Sequence, residues 1–231
     1  MPSRSRQMVL DLQPVARWGG RREGAGRKAG AVRRDPHARR ALLALRNPCH
    51  VTLKVKRGIP SLRSRPLVRA FESSLRVACE RGRFRVAHYS VQRDHVHLIV
   101  EAASARDLAC GMKSVGARLA RAVNRVFGRR GAVLADRFHL HVLRTPREVR
   151  NAIAYVLLNA RRHAAKLGLR IDPRSRVDAA SSGRWFDGWS TRMPPAADPP
   201  AVSKARTWLL RVGWSRRGLV GIGEVPGGER G

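Results

Sequence analysis

Acidic residues are scarce in this chain. Sixteen Asp and Glu stand against 48 Lys and Arg in 231 residues, for a formal charge of +32. A field of one sign this strong disfavours basic partners and draws in polyanions, of which nucleic acid is the commonest. Lysine is scarce too, with 6 Lys beside 42 Arg. Arginine suits two-pronged phosphate contacts, but a GC-rich coding sequence gives the same bias, so the ratio assigns no mechanism. Cysteine is limited to Cys49, Cys79 and Cys110, scattered and without a C-x-x-C pair. That argues against a disulfide framework or a zinc knuckle and fits a reducing compartment. No apolar run approaches membrane-spanning length, and the opening MPSRSRQMVLDLQPVARW has no apolar signal core. Tyrosine occurs only twice, at Tyr89 and Tyr155.

Hydrophobic residues make up 43% of the chain, enough for one medium domain with extensions. Residues 1–48 contain GGRREGAGRKAGAVRRDPHARR and show no hydrophobic periodicity. They read as a disordered Gly/Arg-rich arm that still binds phosphates, with Arg21, Arg22, Arg27 and Lys28 in its densest part. From residue 49 the pattern changes. HVTLKVKRG alternates and predicts a strand, and Leu67, Val68, Phe71, Leu75 and Ala78 fall at helical spacing. FRVAHYSVQRD and HVHLIVEA predict a hairpin turning at Arg93-Asp94. Ser104-x-x-Asp107 opens a long basic helix running to Gly128, ADRFHLHVLR gives a fourth strand, and Thr145-Pro146 opens a last helix ending at Gly168. The order β-α-β-β-α-β-α predicts an α+β fold: a ferredoxin-like sandwich with helices on one sheet face, leaving the other face free for a site. Residues 169–231 read as an extension. Its Pro-, Ser- and Gly-rich part reads as a loop packing Trp185, Phe186 and Trp189 back onto the domain, with a linker as the alternative, and a short helix turns Trp208 and Leu209 inward.

Two groups of residues can carry chemistry. In DHVHLIVE, residues 94–101, alternation puts His95 and His97 on one strand face. Such a pair can hold a divalent metal or can simply be two polar residues on a solvated face. In the last helix Tyr155 and Asn159 are four apart, hence on one helix face, along the edge of the stripe Val149, Ala152, Ile153, Val156, Ala160. Two imidazoles on a strand need an oxygen ligand as well, which an Asn carbonyl supplies, and a nearby phenol needs such help to act as a nucleophile. A rival H-x-H, His139 and His141 in FHLHV, satisfies the same spacing. It reads as facing nucleic acid or solvent, while His50, His88, His37 and His163 read as surface or core histidines and Tyr89 as sheet packing.

DHVHLIVE, a long helix, a strand and then NAIAYVLLNARRHA together resemble the single-tyrosine HUH transposases over residues 49–168. The REP-associated tyrosine transposases are the nearest branch. The resemblance implies a metal-dependent DNA strand transferase acting on single-stranded hairpin DNA through a 5′-phosphotyrosine link. It implies Mg²⁺ or Mn²⁺ held by His95, His97 and Asn159, Tyr155 as nucleophile, a monomer or homodimer, and a cytoplasmic, nucleoid-associated location with no membrane partner. Arg161 and Arg162, beside the helix motif, are expected to contact DNA. One departure is visible: the family follows the Asn with Pro, and here Ala160 leaves the helix free to continue. A non-catalytic ferredoxin-like RNA- or DNA-binding protein accounts for the charge and element order but not for the two motifs, and a water-using nuclease needs the histidines without Tyr155.

Overall fold

The computed structural model describes residues 47–168 and 177–227. The basic arm up to residue 46, with Arg21, Arg22, Arg27, Lys28 and His37, lies outside them. The elements run β1 (Cys49–Lys54), α1 (Arg65–Arg76), β2 (Glu80–Arg81), β3 (Phe84–Val91), β4 (His95–Ala102), α2 (Ala105–Val126), β5 (His139–Val142), α3 (Pro146–Leu157) and α4 (Asn159–Lys166). One antiparallel sheet has the order β2-β3-β4-β1-β5. Apart from the two-residue β2, which alternation did not predict, this is the interlocked β-α-β arrangement of a ferredoxin-like α+β sandwich.

Alternation divides the sheet into two unlike faces. On β1, Cys49, Val51 and Leu53 pair with Val100, Leu98 and Val96 of β4. These join Leu67, Phe71 and Leu75 of α1 and Leu108, Met112, Val115 and Leu119 of α2 in one apolar core. The capping expected of Ser104 is present: its hydroxyl accepts the Asp107 N–H at 3.0 Å. Gly111 lets α2 sit on the sheet, because a Cβ there would stand 2.2 Å from Cγ of Phe84.

The other face is lined by polar rings. The register places His50 opposite Ile99 and His141, and Thr52 opposite His97 and His139. His88 faces Ile99, and Ser90 faces His97. Directly paired residues share a face, so six histidines, His50, His88, His95, His97, His139 and His141, lie on this side. α3 packs here through Val149, Ile153, Val156 and Leu157, and a second core forms with Phe186, Trp189, Leu209, Leu210 and Trp214 from the C-terminal segment.

That segment is fastened in three ways. It covers the free edge of β3, where Val91 N–H donates to Ala180 and Ser203 N–H to Val86. Buried Glu101 accepts the backbone N–H groups of Arg206 (2.9 Å) and Thr207 (2.8 Å) and the Thr207 hydroxyl (2.6 Å). Arg150 grips Glu224 with both terminal nitrogens, at 2.7 and 2.5 Å. One expectation is corrected: Trp208 does not turn inward. It is 50% exposed, with its ring against Gly213 and Arg216 stacked above it. Leu209 and Leu210 fill the core instead.

Candidate active site

The histidines of β4 form a chain of ring nitrogens. Nδ1 of His95 lies 2.8 Å from a carboxylate oxygen of Asp94, and its Nε2 lies 3.0 Å from Nε2 of His97. On the far side of His97, Nδ1 meets both Oγ1 of Thr52 and Nε2 of His50, each at 3.1 Å. β1 and β4 put these groups together because Thr52 is the direct partner of His97 and His50 is one step along the same face. Burial and the neighbouring His50 and His95 hold the His97 pKa down to about 3. Burial, with His141 and His139 nearby, holds that of His50 down to about 4. Both rings are therefore neutral near pH 7, the form that ligates a metal or accepts a proton.

Tyr155 reaches this cluster from α3. Its ring meets His97 edge-on at 5.1 Å between centroids and His50 at 5.6 Å. The Arg162 guanidinium lies 5.0 Å from the centroid of the same ring. The two sequence motifs, His95/His97 and Tyr155, thus come together across 58 residues of chain. A cleft of about 1300 Å³ opens beside Tyr155, lined by His50, His141, Arg147, Arg162 and Arg217 among others. Arg147, Arg150, Arg162 and Arg217 outnumber the two carboxylates of its lining, Glu148 and Glu224, so the cleft favours an anion.

Asn159 differs from its expected place. It is not on an edge but wholly buried, and neither Oδ1 nor Nδ2 has a hydrogen-bond partner. The helix bends to put it there: at Leu158 the backbone leaves helical geometry (φ −109°, ψ 19°), ending α3 and starting α4 at Asn159. The absence of proline after Asn159 therefore does not leave one continuous helix. Arg161 and Arg162 are placed differently. Neighbours on a helix project about 100° apart, and the turn that leaves Arg162 over Tyr155 places Arg161 inside, 8% exposed.

The donor set can be tested against a divalent ion. Among the described residues no three or more His, Cys, Asp or Glu side chains group as a metal site, so only a mixed set with neutral oxygen is open. Two imidazole Nε2 atoms 3.0 Å apart match neighbouring ligands on one ion at about 2.1 Å each. A buried amide with no partner costs about 1–3 kcal/mol, and a ligand bond to its carbonyl oxygen would offset that cost. The two imidazoles fit the group.

The rival pair is exposed on β5, with His141 opposite His50 and His139 opposite Thr52, and both rings act electrostatically on His50. His50 and Thr52 were missed from sequence. Pairing HVTLKVK against HVHLIVE by their alternating faces could have found them. Tyr89 is fully buried on the helix face, its hydroxyl hydrogen-bonded to Glu72.

No protein-family model matches the chain, and no curated protein matches it. Solved structures do. A REP-associated tyrosine transposase bound to a REP hairpin shares 16% identity at a TM-score of 0.44, covering 56% of this chain and 74% of that one. A bacterial tRNA(His) guanylyltransferase (Thg1)-like protein in complex with GTP shares 12% at 0.43, covering 58% and 70%. In complex with ATP the figures are 12% at 0.41, covering 55% and 62%. At such identities the likeness does not extend to side chains, so the chemistry of the site rests on its own geometry.

Proposed function

We propose that this chain cuts and rejoins single-stranded hairpin DNA, with Tyr155 as nucleophile. The observation that carries this reading is the meeting of Tyr155 with the His95/His97 pair on one sheet face, at 5.1 Å between the Tyr155 and His97 rings. In the forward step the phenolic oxygen bonds to phosphorus and the bond to the 3′ oxygen breaks. The products are a 5′-phosphotyrosine link and a 3′-OH, the phenol giving up one proton and the leaving oxygen gaining one. Return attack by the 3′-OH rejoins the strand. Mg²⁺ or Mn²⁺ at His95, His97 and Asn159 would supply Lewis-acid polarisation of the phosphoryl group. Arg162 places positive charge beside the phenol, where the strand's phosphate must come, and the arginines of the cleft hold the backbone on either side.

The test is denaturing electrophoresis of protein mixed with a labelled single-stranded hairpin and Mn²⁺. The expected result is a covalent adduct that disappears in Tyr155→Phe and in chelator. Hairpin binding without any adduct in the wild-type protein would leave a binding module and end the enzymatic reading.

A further inference from the structure

His95 and His97 serve as ligands only if each presents an Nε2 lone pair, and this depends on which ring nitrogen carries the proton. For His95 the neighbouring carboxylate decides. The Asp94 carboxylate accepts only, so in the neutral ring that a ligand requires, Nδ1 of His95 carries the proton and Nε2 the lone pair. For His97 two neighbours decide, Thr52 and His50, both at Nδ1. A hydroxyl can donate or accept, and a neutral imidazole can present either N–H or lone pair. With both accepting, His97 is protonated at Nδ1 and two Nε2 lone pairs face each other at 3.0 Å. That arrangement is repulsive unless a cation sits against them. With Thr52 donating, His97 turns its proton to Nε2 and bonds to His95. The same side chains therefore satisfy His97 with and without an ion.

We propose that Thr52 and His50 are positioning residues that set the tautomer and ring orientation of His97 for a divalent cation, as Asp94 does for His95. The inference rests on the metal reading above. It extends that reading to side chains that touch neither ion nor DNA in the assigned roles. Partners one shell out from a ligand typically change metal affinity by about 10–100-fold. Thr52 is the sharper probe, because Val keeps its shape and strand propensity while removing only the hydroxyl.

The experiment is titration of full-length protein with Mn²⁺ alone, free ion being read by electron paramagnetic resonance and folding by thermal melts. Wild type should bind saturably and His97→Ala should not. Thr52→Val should weaken binding about 10–100-fold with an unchanged melt, and Thr52→Ser should restore it. His50→Leu should weaken binding in the same direction. Equal Mn²⁺ affinity in wild type and Thr52→Val would overturn the positioning role while leaving His95 and His97 as ligands. Equal weakness in Thr52→Val and Thr52→Ser would also overturn it, since packing and not the hydroxyl would then be responsible. A wild-type protein that binds no Mn²⁺ would remove the metal reading and this inference together.

Discussion

The two tyrosines of this chain sit on opposite faces of one sheet, and their surroundings have little in common. Tyr89 points into the helix layer, fully buried, bonded to Glu72. Burial raises its pKa far beyond the ordinary phenol value, with the charge of Glu72 adding to the effect. A phenol held that way cannot reach a substrate or lose its proton. Tyr155 stands on the face with the histidines, half-buried, edge-on to two neutral imidazoles and beside a guanidinium. One face spends its side chains on packing, and the other holds polar rings in contact with an open cleft. The candidate site is thereby kept to one face of the sheet, beside the second apolar core around α3.

The largest expected effect breaks that division directly. Tyr155→Phe should abolish the DNA adduct and leave the melting temperature unchanged. Tyr89→Phe should leave the adduct and cost about 1–2 kcal/mol of stability by orphaning a Glu72 oxygen. An adduct lost in Tyr89→Phe and kept in Tyr155→Phe, in the same gel assay, would reverse the assignment. Next, His95→Ala or His97→Ala should eliminate cleavage, as should chelator, while the His139→Ala/His141→Ala double variant keeps most of it. A dead double variant beside active single ones would move the site to β5.

Asn159 separates function from stability more finely. Asn159→Ala should lower adduct formation about tenfold, less than the histidine changes, since a neutral amide is the weakest of the three ligands. Removing an unpartnered buried amide is close to neutral or stabilising. The melt of the metal-free variant should therefore hold or rise, and a drop of several degrees would mean that the amide has a structural partner. Glu101→Leu should strip the N–H groups of Arg206 and Thr207 of their acceptor and leave Arg85 with less compensation, at about 2–4 kcal/mol. Faster amide exchange across residues 205–220, ahead of α1 and α2, would report it.

The most gradual effect is a pH slope. Burial holds the His88 pKa down to about 4, and Nδ1 of that ring has no partner. The unfolded chain, at about 6.5, takes up the proton first. The stabilisation is complete above pH 6.5 and is lost as pH falls toward 4, on the order of 1–3 kcal/mol for a partly exposed ring. Denaturant melts across that range should show the slope, to which the depressed His50 and His97 add, and His88→Leu should reduce it.

Much of this was legible in the residues themselves. Alternation in FRVAHYSV and HVHLIVEA, the cap at Ser104 and the Thr145-Pro146 opening each prescribe their element locally, so the α+β sandwich follows from order. The meeting of His97 with Tyr155 was suggested by the ligand chemistry of the two motifs and made specific by the family resemblance. What escaped was set by tertiary placement. His50 and Thr52 join the site through strand register, which one strand's alternation does not contain. Arg161 and Arg162 look alike in sequence, and only the bend at Leu158 sends one in and one out. Trp208 lost the core position to Leu210, although hydrophobicity alone favoured the larger ring.

The scarcity of acid noted at the outset has a spatial counterpart. Arg63 meets Asp178, Arg76 meets Asp198, Arg184 meets Glu72, Arg206 meets Glu80 and Arg150 meets Glu224. Every one of these pairs joins the sandwich to the segment beyond residue 176. A chain at +32 repels itself, and here several of its few carboxylates act as built-in counterions along one seam. Cutting the chain after Gly168 would therefore do more than uncover Ile153 and Val156. It would leave Arg63, Arg76 and Arg150 without their counterions, and the shortened domain would depend on salt or a bound polyanion to neutralise them.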